Sequence, residues 1–449
     1  MNIDFILDRE TEYCDMMSKR FKDPSIINSL KNLRKSYVDK LVELEHLNRA
    51  HNDCSKLIST VMKSKNVTDK SKETLDKMFE NSPLEFDYND VDLTVAMIKN
   101  RVKDIQSLKL ETMKIVDQYL EQIKLVVSEI PNLLHESVPI SDNEDNNAIV
   151  FQTEISEKKK YGQYELCLKT GIYESATEIA GNRGYFLAND GVKLNTALLM
   201  YAQDFIRARG YKVMQTPFFM TQEAMKTVCQ LSDFDETLYK VKDGKSSSND
   251  ELGRDEDKYL IATSEQPLTA YFNGKKLTDL PVRLSGVSSC FRREAGKHGK
   301  DTNGIFRVHQ FEKVEQFCVT NAESSYEMME EMLQNAKDFY ESLGFQYRVV
   351  SIVSGALNNA TSKKYDIEGW FPGSGEFREL VSCSNTTDYF SRRLRCKNNL
   401  NEMCHMLNST LYANTRTICC LLEMGQTENG ISIPDVLVPY FGKNFIPYI

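Results

Sequence analysis

The sequence predicts an α+β protein: one large, mainly antiparallel sheet flanked by helices, preceded by an N-terminal antiparallel coiled-coil arm. Three features carry this prediction. The first 130 residues hold two apolar stripes of matched length at helical spacing, with a polar stretch between them. A polar, acidic, proline-punctuated segment then breaks the pattern. Beyond it, strand-like runs alternate with loops around an amphipathic helix, as in a domain built on a sheet.

Residues 1–130, read as an N-terminal domain, contain no glycine and only two prolines, Pro24 and Pro83, so little in them interrupts a helix. Between Ser25 and about Lys63, the residues Leu30, Leu33, Tyr37, Leu41, Leu44, His51, Cys54, Ile58 and Val61 recur at spacings of three, four or seven. After a polar stretch from Ser64 to Asn89 the pattern resumes with Val95, Ile98, Val102, Ile105, Leu108, Met113, Val116, Tyr119 and Ile123. Two such stripes bury each other by folding back antiparallel. The turn between them is rich in lysine: Lys63, Lys65, Lys70, Lys72 and Lys77. A structural helix pair with a solvated face explains the periodicity. An arm that reaches RNA also explains why positive charge gathers there. The following domain has to decide between them.

Residues 131–150 read as a linker, within the run IPNLLHESVPISDNEDNN from Ile130 to Asn147. In the domain 151–449, Leu194, Leu198, Tyr201 and Phe205 mark an amphipathic helix. Strands are expected at Tyr211 to Thr216, Lys258 to Ala262, Val287 to Glu294, Phe306 to Val319, Tyr347 to Val353 and Glu376 to Ser382. The hydrophilic run from Lys242 to Lys258 has no periodicity and reads as a surface insertion.

Composition narrows the function classes. With 41% hydrophobic and 27% charged residues and no long apolar run, the chain reads as soluble, with no membrane partner. The N-terminus lacks the basic start and apolar stretch of a secretory signal. Eleven scattered cysteines without C-x-x-C spacing are expected to be reduced thiols, with no structural zinc, in a cytoplasmic protein. A net charge of -9 argues against a general nucleic-acid coat, so any RNA contact must be local.

Three segments carry chemistry. In FRREAGKHGKDTNGIFRVHQFEKVEQF, Phe291 to Phe317, two strand-like runs flank a basic, glycine-rich loop. Alternation puts Arg292 and Glu294 on one face of the first strand, and Arg307, His309, Phe311, Lys313, Glu315 and Phe317 on one face of the second. If those faces coincide, an arginine, two carboxylates and an aromatic ring converge on a surface able to hold a nucleotide beside an amino acid. A plain ladder of cross-strand ion pairs is the bland alternative. In the second segment, Arg378 to Asn385, Glu379 and Ser382 offer oxygen ligands of the kind Mg²⁺ takes, though a Glu and a Ser three apart are also capping vocabulary. In the third, Leu407 to Glu423, Asn414 is expected to cap a helix carrying Arg416 in its first turn, a phosphate site in outline.

Together these segments resemble the class II aminoacyl-tRNA synthetases, specifically the seryl-tRNA synthetases of the eukaryotic cytosolic type. GYKVMQTPFFM (Gly210 to Met220) resembles the end of motif 1, about 191–220. The Phe291–Phe317 hairpin resembles motif 2, about 287–319, and NTRTICCLLE (Asn414 to Glu423) resembles motif 3, about 405–425. ATSEQPL (Ala262 to Leu268) resembles the family's serine-binding element, and the linker and arm also look like that family's. One departure is EMGQ at Glu423 to Gln426, where the family more often has ENYQ.

The resemblance implies the class II antiparallel sheet and ATP-dependent, AMP-forming ligation of serine to tRNA(Ser), with selenocysteine tRNA a further candidate. It places Thr263, Glu265, Arg292, Glu315 and Asn408 around serine. It places Arg292, Glu294, Val308, His309, Gln310, Phe311, Glu379, Leu380, Val381, Ser382 and Arg416 around ATP, with Mg²⁺ on Glu379 and Ser382. Arg292, Glu294 and Arg416 are the catalytic candidates. It further implies a homodimer whose arm grips the long variable arm of the tRNA. A synthetase for another small amino acid is one rival. A non-catalytic amino-acid sensor or RNA-binding module on the same fold is another.

Overall fold

The computed structural model describes residues 3–78, 90–229, 234, 236–242, 257–294 and 303–449. Most of the expected insertion at 242–258, and residues 295–302 of the expected hairpin loop, lie outside the described residues. Contacts divide the chain into two compact units, Ile3–Glu10 with Pro24–Glu129, and Thr11–Asp23 with Ile130–Ile449.

The helical unit is built on α1 (Ser25–Ser64), α2 (Asp69–Met78) and α3 (Val91–Glu129). α1 and α3 run antiparallel. His51 meets Gln106 at 3.3 Å, while Cys54, Leu57 and Val61 share a buried cluster with Val95, Ile98 and Ile105. Val67 and Leu75 join that cluster, so α2 packs at the turn. The stripe on α3 differs from expectation in its middle: Leu108 and Met113 are exposed, whereas Thr112 is buried between Ile105 and Val116. At 3.6 residues per turn, 105, 112 and 116 stay on one line, and 108 and 113 fall to either side of it. Of the turn lysines, Lys63, Lys65 and Lys70 are exposed, and Lys72 lies 3.3 Å from Asp69. The Lys77 side chain lies outside the described residues.

The larger unit is built on an eight-stranded sheet. In chain order its strands are β1 (Ala148–Gln152), β2 (Lys212–Gln215), β3 (Val282–Phe291), β4 (Gln310–Thr320), β5 (Tyr347–Ser351), β6 (Lys363–Phe371), β7 (Glu376–Asn385) and β8 (His405–Ala413). Their spatial order is β1-β5-β6-β7-β8-β4-β3-β2, antiparallel throughout except that β2 runs parallel to β3. The strands β1, β6 and β8 lie outside the runs expected from sequence.

Among the helices of this unit are α4 (Gln163–Lys169), α5 (Asp190–Arg207), α6 (Glu265–Ala270), α7 (Ser325–Ser342) and α8 (Asn414–Gly425). One sheet face is sealed by α5, α7 and α8. Leu194 and Leu198, Met332 and Phe339, and Ile418 and Leu421 share a core cluster there with Val314, Ile367, Val381 and Leu411 from the strands. Strand alternation then turns Phe311, Lys313 and Glu315 of β4, and Asn408 and Thr410 of β8, to the opposite face. Arg20, 2% exposed, fastens the segment Thr11–Asp23 into this unit by donating to the carbonyls of Asn132 (2.9 Å), Thr361 (2.5 Å) and Asn358 (3.1 Å). Among the described residues no helix is long and apolar enough to cross a membrane.

Candidate active site

The site starts at the base of the β3–β4 hairpin. Gln310 pairs with Phe291 and Glu315 with Gly286. Both strands stop further from the loop than expected, β3 running from Val282 to Phe291 and β4 beginning only at Gln310. Arg292 keeps the register one step further, its amide donating to the His309 carbonyl at 2.8 Å. It therefore falls on the face of Phe311, its guanidinium carbon 5.2 Å from the ring centre, within cation–π reach. Glu294 has φ 48°, so alternation no longer governs it. Ion pairs do instead, with Arg307 at 2.8 Å and Arg183 at 3.8 Å.

A kink in β7 brings in the next pair. Asp366 of β6 lies opposite Ser382, and Glu368 lies opposite Glu379, with a register shift between. Asp366 and Glu368 are two apart and share a face, so the extra residue in β7 puts Glu379 and Ser382 on that same face. Without the bulge, residues three apart would point to opposite sides. Arg416, in the first turn of α8, donates to the Glu379 carbonyl at 3.0 Å and reaches its carboxylate at 3.1 Å. Burial acts to raise the Glu379 carboxyl, but Arg416 and Lys364 outweigh it and hold it low. Asn414 does not cap α8 as expected: its Oδ1 accepts from the Glu312 amide at 2.9 Å, tying the helix start to β4.

Arg292, Glu294, Val308, Phe311, Glu379, Leu380 and Arg416 line one cleft, together with Phe306, Arg307, Lys313, Thr410, Ala413 and Thr415. Beside it lies a polar pocket around Glu315. That carboxylate is fully buried and accepts from Thr263 Oγ1, from Ser264 Oγ at 2.7 Å, from the Glu265 amide at 3.2 Å, from Asn408 Nδ2 at 3.3 Å and from Lys313 Nζ. Burial alone would raise its pKa, and the Lys313 ammonium and the two hydroxyls reverse this, holding it at about 2. Glu265 goes the other way, pushed up to about 7 by burial and by the negative charge of Glu315. Gly286 makes the pocket's close approach possible, since a Cβ there would lie 2.5 Å from Ser264 Oγ.

Four of the residues expected around ATP do not line the cleft, Ser382 among them although it shares the face of Glu379. His309 and Gln310 border a separate hollow with Tyr185 and Tyr239, and the Val381 side chain is buried in the core cluster. Sequence reasoning assigned no role to Lys313, Ser264 or Thr410. Strand spacing held the signal for two of them, because Lys313 sits between Phe311 and Glu315 on one face and Thr410 is two residues from Asn408.

A large antiparallel sheet presenting arginines, carboxylates and an aromatic ring on one open face is the architecture of a class II aminoacyl-tRNA synthetase, and residues 239–425 match the family described as tRNA synthetase class II core domain (G, H, P, S and T). Along nearly its whole length the chain is 44% identical, over 466 aligned positions, to the protein named Serine–tRNA ligase, cytoplasmic, of Macaca fascicularis, covering 98% of this chain and 86% of the relative. The crystal structure of cytoplasmic serine–tRNA ligase from Naegleria fowleri in complex with AMP superposes with a TM-score of 0.78 at 41% identity, covering 98% of this chain and 96% of that one. Seryl-tRNA synthetase from Pyrococcus horikoshii complexed with ATP gives 0.79 at 30% identity, over 100% of both chains. The chain belongs to the serine–tRNA ligase family.

Proposed function

We propose that this chain activates L-serine with ATP, giving seryl-adenylate and pyrophosphate, and then transfers the seryl group to the 3′ end of tRNA(Ser). One observation carries the reading: Arg292, Glu294, Phe311, Glu379 and Arg416 line a single cleft, and Lys313 links that cleft to the Glu315 pocket. The ring of Phe311 offers a stacking face for adenine and Glu294 an acceptor for its amino group. Val308 borders the nucleotide just before β4, and Leu380 does so along β7. Arg416 takes the γ-phosphate and Arg292 bridges the serine carboxylate and the α-phosphate, a task suited to a planar guanidinium fork. Thr263, Glu265, Glu315 and Asn408 surround the serine amino and hydroxyl groups.

In the first step a serine carboxylate oxygen attacks the α-phosphorus in line, the bond to the bridging oxygen of the β-phosphate breaks, and pyrophosphate leaves. No protein nucleophile is required. Catalysis is alignment of two anions plus fixed positive charge where negative charge develops. The donor set of Glu379 and Ser382, two hard oxygens brought to one face by the β7 bulge, fits Mg²⁺. Bound there, the ion would offset phosphate charge. In the second step a ribose hydroxyl of the tRNA terminus attacks the adenylate carbonyl and AMP leaves. A pocket that bonds a hydroxyl rejects alanine by leaving buried polar groups unpaired.

The helical unit is the tRNA-binding arm in this reading, its exposed Lys63, Lys65 and Lys70 supplying local positive charge for an RNA backbone. The protein works in the cytoplasm, as the names of its relatives suggest, and as a homodimer. Exposed Ile179, Phe186, Val192, Met200 and Phe219, which fall within or shortly before the motif 1 segment along the sequence, support a second copy. The test is ATP/pyrophosphate exchange across a panel of amino acids, with serine expected to drive it alone. Arg292→Ala should lower the serine-dependent rate by about 100-fold or more with the fold intact. Exchange driven by another amino acid, or unimpaired in that variant, would defeat the assignment.

A further inference from the structure

Glu315 has no free acceptor site. Five donors reach its two oxygens: Lys313 Nζ and Asn408 Nδ2 on Oε1, and Thr263 Oγ1, Ser264 Oγ and the Glu265 amide on Oε2. An ionised carboxylate offers about four lone-pair positions, so a sixth donor has nowhere to bind. The side chain is 0% exposed, which excludes an approach from solvent. A substrate ammonium can reach this carboxylate only by taking the place of a donor already there.

The five are not equivalent. Lys313 alone carries a charge, so exchanging its ammonium for the substrate's keeps the buried carboxylate paired one to one. Replacing a hydroxyl or an amide would crowd a second ammonium against the first and leave a buried donor unpaired. Lys313 also has somewhere to go, because it lines the cleft that holds Arg292, Glu379 and Arg416. Asn408 completes the arrangement: its Oδ1 is buried and accepts no hydrogen bond among the described residues, leaving an acceptor for an incoming hydroxyl or ammonium.

We propose that Lys313 is a displaceable stand-in for the substrate's α-ammonium, holding Glu315 while the pocket is empty and yielding it when serine binds. The released ammonium then enters the cleft to face the serine carboxylate and the α-phosphate, which couples filling of the amino-acid pocket to the charge offered to the nucleotide. This inference rests on the serine-activation reading given above.

Lys313→Met should lower kcat of serine-dependent exchange at least tenfold without raising KM for serine, because a competitor for Glu315 and a cation of the cleft are lost together. Lys313→Arg should recover part of kcat. A tenfold rise in KM for serine at unchanged kcat is the mark of a fixed pocket wall and overturns the proposal, as does a kcat within twofold of the parent. Should the methionine variant not fold, the unaltered protein bound to a non-hydrolysable seryl-adenylate analogue decides. The Lys313 ammonium is expected within about 3.5 Å of an analogue oxygen and off Glu315, and an ammonium still on Glu315 refutes the exchange. Absence of serine-dependent exchange by the unaltered chain removes the serine reading and this inference with it, whereas normal exchange with Lys313 unmoved removes this inference alone.

Discussion

Glu265 and Glu315 share one pocket and titrate in opposite directions. Glu315 is held at about 2, and its contribution to stability is complete above the ordinary carboxylate range and fades as pH falls toward that value. Glu265 is raised to about 7, chiefly by burial and then by Glu315, with Lys313 and Arg292 pulling the other way. The native state therefore keeps this proton up to about 7 while an unfolded chain loses it near 4.5, so the contribution of Glu265 to stability declines as pH rises between the two. The functional consequence has the opposite sense, since only ionised Glu265 adds negative charge beside a substrate ammonium. The kcat/KM for serine should climb with pH and level off above about 7, a limb that belongs to the free enzyme. In Glu265→Gln that limb should vanish. A pH profile unchanged by the substitution would show that another group controls it.

Glu423 shows how one side chain organises several elements. It is fully buried in α8 and accepts from the Gln163 amide that opens α4 (2.8 Å), from the amides of Gly373 and Ser374 (2.8 and 3.0 Å), and from Ser374 Oγ (3.0 Å). Glu423→Ala leaves three amides without their acceptor, a loss of about 3 kcal/mol or more at 1–3 kcal/mol each. Glu423→Gln, which keeps an acceptor oxygen, should lose less in denaturant unfolding. Equal stability of all three proteins would show that water satisfies those amides. None of this could be read from the sequence, because the partners lie 260 and 50 residues away along the chain. What could be read was local. The stripes of α1 and α3 follow from spacing, and so does the shared face of Phe311 and Glu315. The Met, Phe and Tyr stripe of α7 and the alternation of Lys364, Asp366 and Glu368 in β6 were present as patterns but not read as elements. The β7 bulge left no pattern at all, since one extra residue changes the facing of Glu379 and Ser382 without changing composition.

At the scale of the molecule, the two units divide the chemistry. Every residue proposed to touch serine or ATP lies between Thr263 and Arg416, in the unit formed by Thr11–Asp23 and Ile130–Ile449, which has its own core. The other unit is a helical hairpin with a separate buried cluster and exposed lysines at its turn. In the function proposed above, adenylate formation needs only the first, and recognition of a long RNA needs reach and local positive charge on a chain whose net charge is -9. Deleting Lys31 to Gln122 should therefore leave serine-dependent ATP/pyrophosphate exchange within about twofold while lowering aminoacylation of tRNA(Ser) by at least about 100-fold, on the scale of several lost phosphate contacts. In the full chain, replacing Lys63, Lys65 and Lys70 by alanine should weaken tRNA binding and flatten its dependence on salt, because each lost phosphate contact removes about one unit from the slope of log affinity against log salt. The exchange assay serves as the internal control, separating loss of an RNA contact from loss of the fold. Charging at normal efficiency by the deleted protein would refute the arm's role and return the hairpin to a purely structural one.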